Sequence, residues 1–449
     1  MGTRPRFGTD GLRGVANTEL TPELVLALGR AAARVVGGGT WYAARDTRRS
    51  GLMLQAALAA GLTSEGAEVL DLGVLPTPGV AYLSAADGVP GAMISASHNP
   101  FGDTGVKLFG PGGRKLADAT EAAIEAELDG DGGAHRPAGA AVGTVRLAPV
   151  EAAERYLDHL VGSLEGRSLD GLHVVVDCAH GAASTIGPLA FERLGARVDV
   201  MGHRPDGVNI NEGCGSTQLD ELRAAVVAAG ADAGVAFDGD ADRCLAVDHT
   251  GAVVDGDHMM AICAVDLRAR GLLVDDTVVV TVMTNLGFRQ AMAAAGIVVR
   301  TTAVGDRYVL EALEAGGYGL GGEQSGHLIF RRLATTGDGI LTGLAVLDVV
   351  ARSGRSLADL AGAAMTRLPQ VLQNVVVASG SLQTALATAD RLWDEVRAVE
   401  AELGSEGRVL LRPSGTEPLV RVMVEAPTAE RAEALAARVV EAVERSLSS

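Results

Sequence analysis

Ile94-Ser-Ala-Ser-His-Asn-Pro100 follows an apolar run and closes on two residues that end a strand. Ala92 to Ser95 reads as the strand itself, and Asn99-Pro100 hold the loop after it in one shape. The turn presents Ser97, next to His98, at the mouth of a strand, where a hydroxyl can react. On its own such a turn is more often inert. Upstream, Trp41 to Ala44 is strand-like before Asp46, Leu52 to Leu62 has helical spacing, and Val69 to Leu72 is again apolar. This alternation predicts β-α-β units and a mainly parallel sheet.

The same rhythm recurs downstream without a residue-level repeat. Leu172-His-Val-Val-Val-Asp177 and Arg197-Val-Asp-Val200 read as strands, and Ala236-Phe237 runs into Asp238. Strands are also expected over Val278–Val282, Val298–Thr302 and Gly319–Gly322, with a helix from about Gly339 to Arg352. The last 80 or so residues differ. Val409–Leu411 and Leu419–Val424 flank a short turn, and Ala429–Leu447 is helical, which reads as a small α+β cap. Asp129 to Gly139 is turn-rich and polar, suiting a loop near a boundary.

At 449 residues the chain is too long for one core, and its 47% hydrophobic content can fill several. Lys+Arg 38 against Asp+Glu 56 gives a net charge of −18. That balance argues against nucleic acid or an anionic membrane as partner, and requires any anionic ligand to be met by local arginines. Cys178, Cys214, Cys244 and Cys263 form no C-x-x-C pair, so reduced, buried thiols are expected. Met1 to Ala16 lacks an apolar core and no run of 18 apolar residues occurs, so neither a signal peptide nor a membrane span is expected, and the location is read as cytoplasmic.

Three other loops carry complementary chemistry. Asp238-Gly-Asp-Ala-Asp-Arg243 crowds carboxylates at every second position, an arrangement suited to a hard divalent cation. An EF-hand is excluded, because Arg243 stands at its glycine position and His249 at its glutamate position; an acidic surface turn is the plainer alternative. Gly321-Gly-Glu-Gln-Ser-Gly-His327 offers Glu323, Ser325 and His327 at alternate positions, a set that suits sugar hydroxyls and an acid–base group, or simply a surface histidine. The overlapping G-x-G-x-x-G over 317–322 does not lie between a first strand and its helix, and is discounted. Leu411-Arg-Pro-Ser-Gly-Thr-Glu-Pro418, with Arg421 beyond, combines hydroxyls, a glycine and two arginines, as a phosphate site requires. Arg6 to Arg13 adds a glycine-bearing segment ending in arginine, and Lys107 lies close enough in sequence to sit near Ser97.

These four loops in this order, over the full length, resemble the α-D-phosphohexomutase superfamily, and Phe7–Gly14, Asn209–Asn211, Cys214–Thr217, Val304–Val309 and Gln324 are in the style of its amino-sugar branch. The resemblance implies four domains around a central cleft, three similar α/β domains with mixed, mainly parallel sheets and a smaller α+β cap, with boundaries at 1–150, 151–254, 255–366 and 367–449. It implies an isomerase that moves a phosphate between O6 and O1 of glucosamine through phospho-Ser97 and a 1,6-bisphosphate. One Mg²⁺ would be held by Asp238, Asp240, Asp242 and the Ser97 phosphate, with glucosamine or glucose 1,6-bisphosphate as activator. Glu323 and Ser325 would hold sugar hydroxyls, and Arg412, Ser414, Gly415, Thr416 and Arg421 the non-reacting phosphate. Lys107 and His327 become acid–base candidates, with Arg13 and Arg243 compensating charge. A small hexosamine phosphate is then the expected partner, bound by a monomer or homodimer. Gln218, Thr104 and His180 depart from the residues usual in the superfamily, which puts local loop contacts in question. Mutases of glucose or mannose phosphates are the alternative within the superfamily. A silent sugar-phosphate binder is the alternative outside it.

Overall fold

The computed structural model describes residues 5–8, 10–130, 137–377, 385–386, 388–414 and 419–447. They fall into two compact units, Met1–Met283 with Gly296–Ala364, and Thr284–Ala295 with Met365–Ser449. No helix among the described residues is long and apolar enough to cross a membrane.

The larger unit contains three sheets, of seven, five and four strands. One four-strand arrangement occurs in each. A central strand (Thr40–Arg45, His173–Asp177 or Thr277–Thr281) takes the next strand in parallel on one side. It takes a third, also parallel, on the other side: Gly91–Ile94, Ala233–Phe237 or Leu320–Gly322. A fourth strand then folds back antiparallel on the third: Asp103–Phe109, Cys244–Asp248 or Leu328–Phe330. The connections between third and fourth strands are 95–102, 238–243 and 323–327, the three loops singled out above. All three therefore leave the carboxyl end of a parallel strand, the end at which α/β sheets carry their ligand sites.

Why these strands sit at the centre follows from composition. Ala233–Phe237 and Thr277–Thr281 are buried throughout, as near-continuous apolar strands covered on both faces must be. Helix Pro22–Val36 begins with Thr21 accepting from the Leu24 N–H at 3.3 Å and Pro22 in its first turn, and turns Val25, Leu28 and Ala32 into the core of the first sheet. Helix Gly339–Ser353 is capped by Asp338, which accepts from the Leu341 N–H at 2.9 Å.

Some elements differ from the sequence reading. Phe7–Gly8 and Gly11–Val15 form an antiparallel pair extending the first sheet through Asp103–Phe109. After the turn-rich stretch at 129–139, strand Val145–Leu147 returns to that same sheet beside Glu68–Val74, so the stretch lies within the first sheet's chain rather than at its end. All four cysteines are free and buried.

The smaller unit is a three-stranded antiparallel sheet, in the order Gln370–Val376, Leu419–Glu425, Arg408–Pro413. Helices Asp390–Leu403 and Ala429–Leu447 contribute Leu392, Val396, Leu435 and Val439 to its core. The strand Gln370–Val376 and the helix Asp390–Leu403 were not anticipated. Helix Leu286–Ala294, inside the boundaries expected for the third domain, belongs to this unit. The cause is a buried carboxylate. Glu425 is fully buried and accepts from the Leu286 N–H at 2.9 Å, from Asn285 Nδ2 at 3.3 Å and from Arg408 Nε and Nη2 at 2.7 and 3.1 Å. A buried carboxylate stripped of its arginine is costly. Arg408→Ala is therefore expected to destabilise this unit by about 3 kcal/mol. Urea denaturation followed by circular dichroism checks this, and an unchanged midpoint would mean that the remaining donors, the Leu286 N–H, Asn285 Nδ2 and Gln370 Nε2, satisfy Glu425 without the arginine.

Candidate active site

Ser97 is buried and takes a left-handed backbone conformation, φ 53°. Its Oγ donates to Asp238 Oδ2 at 2.5 Å, joining the loop of the first sheet to that of the second. His98 Nδ1 lies 3.3 Å from the same hydroxyl. Burial, then the positive charges of Arg243 and Arg13, pushes the His98 pKa down to about 4, so its ring is neutral at physiological pH.

The aspartates converge as their spacing predicts. Asp238, Asp240 and Asp242 each offer a carboxylate oxygen, and these oxygens lie within 4.8 Å of one another with all three residues buried. The short reversal from Phe237 to Cys244, with Ala241 at φ 56°, turns all three side chains inward. Burial, then repulsion from Asp242 and Asp240, holds the Asp238 carboxyl well above the usual carboxylate range. Burial also opposes ionisation of Asp242, but Lys107, His327 and Arg243 outweigh it and hold its pKa below that range. Asp240 Oδ1 and Asp242 Oδ1 are buried yet take no hydrogen bond among the described residues. Uncompensated carboxylate oxygens at this spacing fit a hard divalent cation.

The charged residues named from the sequence gather here too. Lys107 Nζ donates to Asp240 Oδ2 at 2.7 Å and Asp242 Oδ2 at 3.3 Å. Burial disfavours its charge, yet Asp10, Asp240 and Asp242 raise its pKa well above the ordinary lysine value. Lys107 is thus held as an ammonium among these carboxylates. His327 is buried, its Nε2 accepting from the Gly337 N–H at 2.9 Å and its Nδ1 3.7 Å from Asp242 Oδ1. That hydrogen bond leaves the ring proton on Nδ1, facing the aspartate. His327 braces Asp242 from behind. The Arg243 N–H donates to Asp238 Oδ1 at 3.2 Å, and Arg13 pairs with Asp10. The Nε atoms of Arg13 and Arg243 are buried without a hydrogen-bond partner among the described residues.

The third loop meets the second through a close backbone approach. Cys244 N donates to Gly326 O at 3.1 Å, and a Cβ on Gly326, φ 90°, would lie 2.0 Å from Cys244 O. Only glycine fits that contact. Glu323 is half-buried and accepts from the Gly305 N–H at 3.1 Å. Ser325 Oγ and Gln324 Nε2 are buried without a partner among the described residues, the condition of polar atoms that wait for a ligand.

In the smaller unit, Arg412 and Arg421 stand directly opposite each other on adjacent antiparallel strands. Ser414 follows at the strand end, its N–H donating to Leu419 O at 2.9 Å. Gly415 and Thr416 lie outside the described residues.

Several residues at the site were not singled out from the sequence. Thr77 Oγ1 donates to Asp240 Oδ2 at 2.6 Å. Lys115 Nζ joins Asp10 at 2.5 Å to Asp306 at 2.7 Å, and Asp306 lies 3.7 Å from His327 Nε2. With Lys107 3.7 Å from Asp10, the contacts close a ring through Asp242, Lys107, Asp10, Lys115, Asp306 and His327. Asp10 lies within the Arg6–Arg13 segment and Asp306 within Val304–Val309, so a search for charge inside those motifs would have found both. Nothing local marks Thr77.

Four family models match in order: phosphoglucomutase/phosphomannomutase α/β/α domain I over 4–132, domain II over 154–251, domain III over 255–368 and the C-terminal domain over 372–442. A phosphoglucosamine mutase of Mycolicibacterium paratuberculosis is 58% identical over 444 residues, covering 97% of this chain and 98% of the relative. One of Rhodococcus jostii is 57% identical over 437 residues, covering 96% and 97%. Among solved structures, a phosphoglucomutase/phosphomannomutase family protein of Burkholderia thailandensis matches with a TM-score of 0.80 at 24% identity, covering 99% of this chain and 98% of that one. Aspergillus fumigatus N-acetylphosphoglucosamine mutase, solved with GlcNAc-6P and magnesium, matches with a TM-score of 0.69 at 19% identity, covering 99% and 96%. Identity above one half over nearly the whole chain, with all four domain models matched in order, shows that this chain belongs to the phosphoglucosamine mutase family.

Proposed function

We propose that the chain interconverts glucosamine 6-phosphate and glucosamine 1-phosphate, with Ser97 as the phosphoryl carrier. The observation that carries this reading is the Ser97 hydroxyl 2.5 Å from Asp238, inside a buried three-carboxylate cluster. A nucleophile so placed belongs to phosphoryl transfer, in which positioning and charge stabilisation supply nearly all of the catalysis. Asp238, Asp240 and Asp242 would hold the cation, and their all-oxygen donor set favours Mg²⁺. When bound, that ion neutralises charge on the transferring group.

In the first half-reaction the bond from phosphorus to Ser97 Oγ breaks as a bond to O1 of the 6-phosphate forms. The O1 hydroxyl loses its proton and Ser97 Oγ regains one. The 1,6-bisphosphate then turns round, and its 6-phosphate returns to Ser97. Lys107 stabilises charge beside Asp240, His327 steadies Asp242, and the unspent Nε donors of Arg13 and Arg243 suit phosphoryl oxygens. Glu323 and Ser325 serve the sugar hydroxyls. Arg412 and Arg421, with Ser414, Gly415 and Thr416, take the phosphate that does not react, and one such grip serves both orientations because the bisphosphate presents a phosphate at either end. Glu323 also offers an acceptor to a protonated 2-amino group, which favours the amino sugar over glucose or mannose phosphate.

Three outcomes are expected. Ser97→Ala keeps its melting temperature, loses turnover and takes up no phosphate from the 1,6-bisphosphate; near-normal activity in this variant would sink the carrier assignment. Chelation removes activity and Mg²⁺ restores it, while Asp240→Asn raises the Mg²⁺ concentration needed about tenfold or more. Turnover by chelated protein at the untreated rate would make the aspartates structural. In a panel of glucosamine, glucose and mannose phosphates under saturating Mg²⁺ and bisphosphate, kcat/KM is highest for the amino sugar, with measurable side activity on glucose phosphate, since an amine and a hydroxyl are nearly the same size. A higher value for glucose or mannose phosphate would move the chain to the other mutase specificity.

A further inference from the structure

We propose that Arg48 is a positioning residue that fixes the conformation of the phosphoryl-carrying loop. The proposal rests on Ser97 as carrier and concerns how that serine is held. Arg48 follows strand Thr40–Arg45, and its guanidinium is fully buried. Nε donates to Asp46 Oδ2 at 2.8 Å. The other two nitrogens donate to the loop backbone: Nη2 to Ser97 O at 3.0 Å and Asn99 O at 2.8 Å, Nη1 to Asp103 O at 3.0 Å and to Pro100 O. Four of the seven carbonyls from Ser97 to Asp103 thus face one cation.

The same network holds the other side of Ser97. Its N–H donates to Ser95 Oγ at 2.9 Å, and Ser95 Oγ donates to Asp46 Oδ2 at 2.7 Å. Asn211, from the chain of the second sheet, adds Nδ2 donations to Ser97 O at 2.9 Å and Asn99 O at 3.0 Å. Gly239 leaves room for this, since a Cβ there would lie 2.5 Å from Ser97 O and 3.0 Å from Asn211 Nδ2. Both backbone polar groups of Ser97 are therefore bound, and bound in a left-handed conformation that strains a non-glycine residue.

Such strain persists only where surrounding contacts over-determine it, and it is placed on the residue whose hydroxyl must reach Asp238. Burying a whole guanidinium against carbonyl oxygens carries a large desolvation cost. The geometry points to what offsets that cost: a fork of five fixed N–H donors spans four carbonyls and a carboxylate at once, which a lysine ammonium cannot do. Arg48 touches no reacting atom. Its effect passes through the position of Ser97 Oγ.

Arg48→Lys, Arg48→Ala and Asn211→Ala test this in the full-length chain. The expected signature is a fall in kcat of about 10²-fold for Arg48→Lys, with KM changed by less than about threefold, because a displacement near 1 Å costs rate rather than binding. Single-turnover transfer from phospho-Ser97 to glucosamine 6-phosphate, followed by intact mass, slows by the same factor, and added guanidinium partly restores Arg48→Ala. A Lys variant that loses melting temperature but keeps its transfer rate overturns the proposal, leaving Arg48 a merely structural residue. If the Arg48 variants fail to fold, Asn211→Ala decides: a loss in kcat at constant KM supports the clamp, and an unchanged kcat overturns it. Peptide mapping of wild-type protein separates this from the underlying reading. Phosphate found elsewhere than Ser97 overturns both, whereas phosphate on Ser97 with unimpaired transfer in the variants overturns the clamp alone.

Discussion

Three carboxylates buried within 4.8 Å of one another are the constraint around which the larger unit is arranged. Such a cluster is unfavourable by itself, because each charge loses its hydration and repels the others. The protein answers from several directions. Lys107 reaches in from the first sheet, the Arg243 backbone caps Asp238, Thr77 donates to Asp240, and His327 stands behind Asp242. Asp240 Oδ1 and Asp242 Oδ1 are still left without a hydrogen bond among the described residues, which is where a divalent cation would complete the balance. The outer ring through Asp10, Lys115 and Asp306 then fixes the residues that do the compensating.

The repeated four-strand arrangement makes this convergence possible. In each sheet the connection from third to fourth strand is a reversal at the carboxyl end of a buried parallel strand. The strand behind it is rigid, so the loop inherits a defined position, and three such loops meet through short backbone contacts such as Cys244 N to Gly326 O. The mobility usual for loops is removed where the chemistry needs it removed. Ser97 is the extreme case, strained in its own backbone and hydrogen-bonded on both sides.

The smaller unit solves a different problem with similar economy. Arg412 and Arg421 stand opposite each other across its strand pair. The buried ion pair between Arg408 and Glu425 organises the unit's other end, binding the Asn285–Leu286 segment into it.

The fold class and the order of the four loops were legible in the residues alone. Those features are local: an apolar run leading into Asp238, or a Ser-His-Asn-Pro turn, announces strand and loop through periodicity and turn chemistry alone. Only the tertiary structure decided which groups face one another. Arg48 and Thr77 act on partners 49 and 163 positions away, through the packing of sheets, and no spacing rule connects them. The same holds for roles. His327 and Lys107 were legible as ionisable groups in the right loops, but whether each meets a ligand or braces an aspartate depends on burial and on neighbours such as Gly337 and Asp10, which are set when the three sheets come together. The strand Gln370–Val376 and the helix Leu286–Ala294 show the same limit in the fold, since each takes its place from a partner distant in sequence: Leu419–Glu425 for the strand, and Glu425 for the helix.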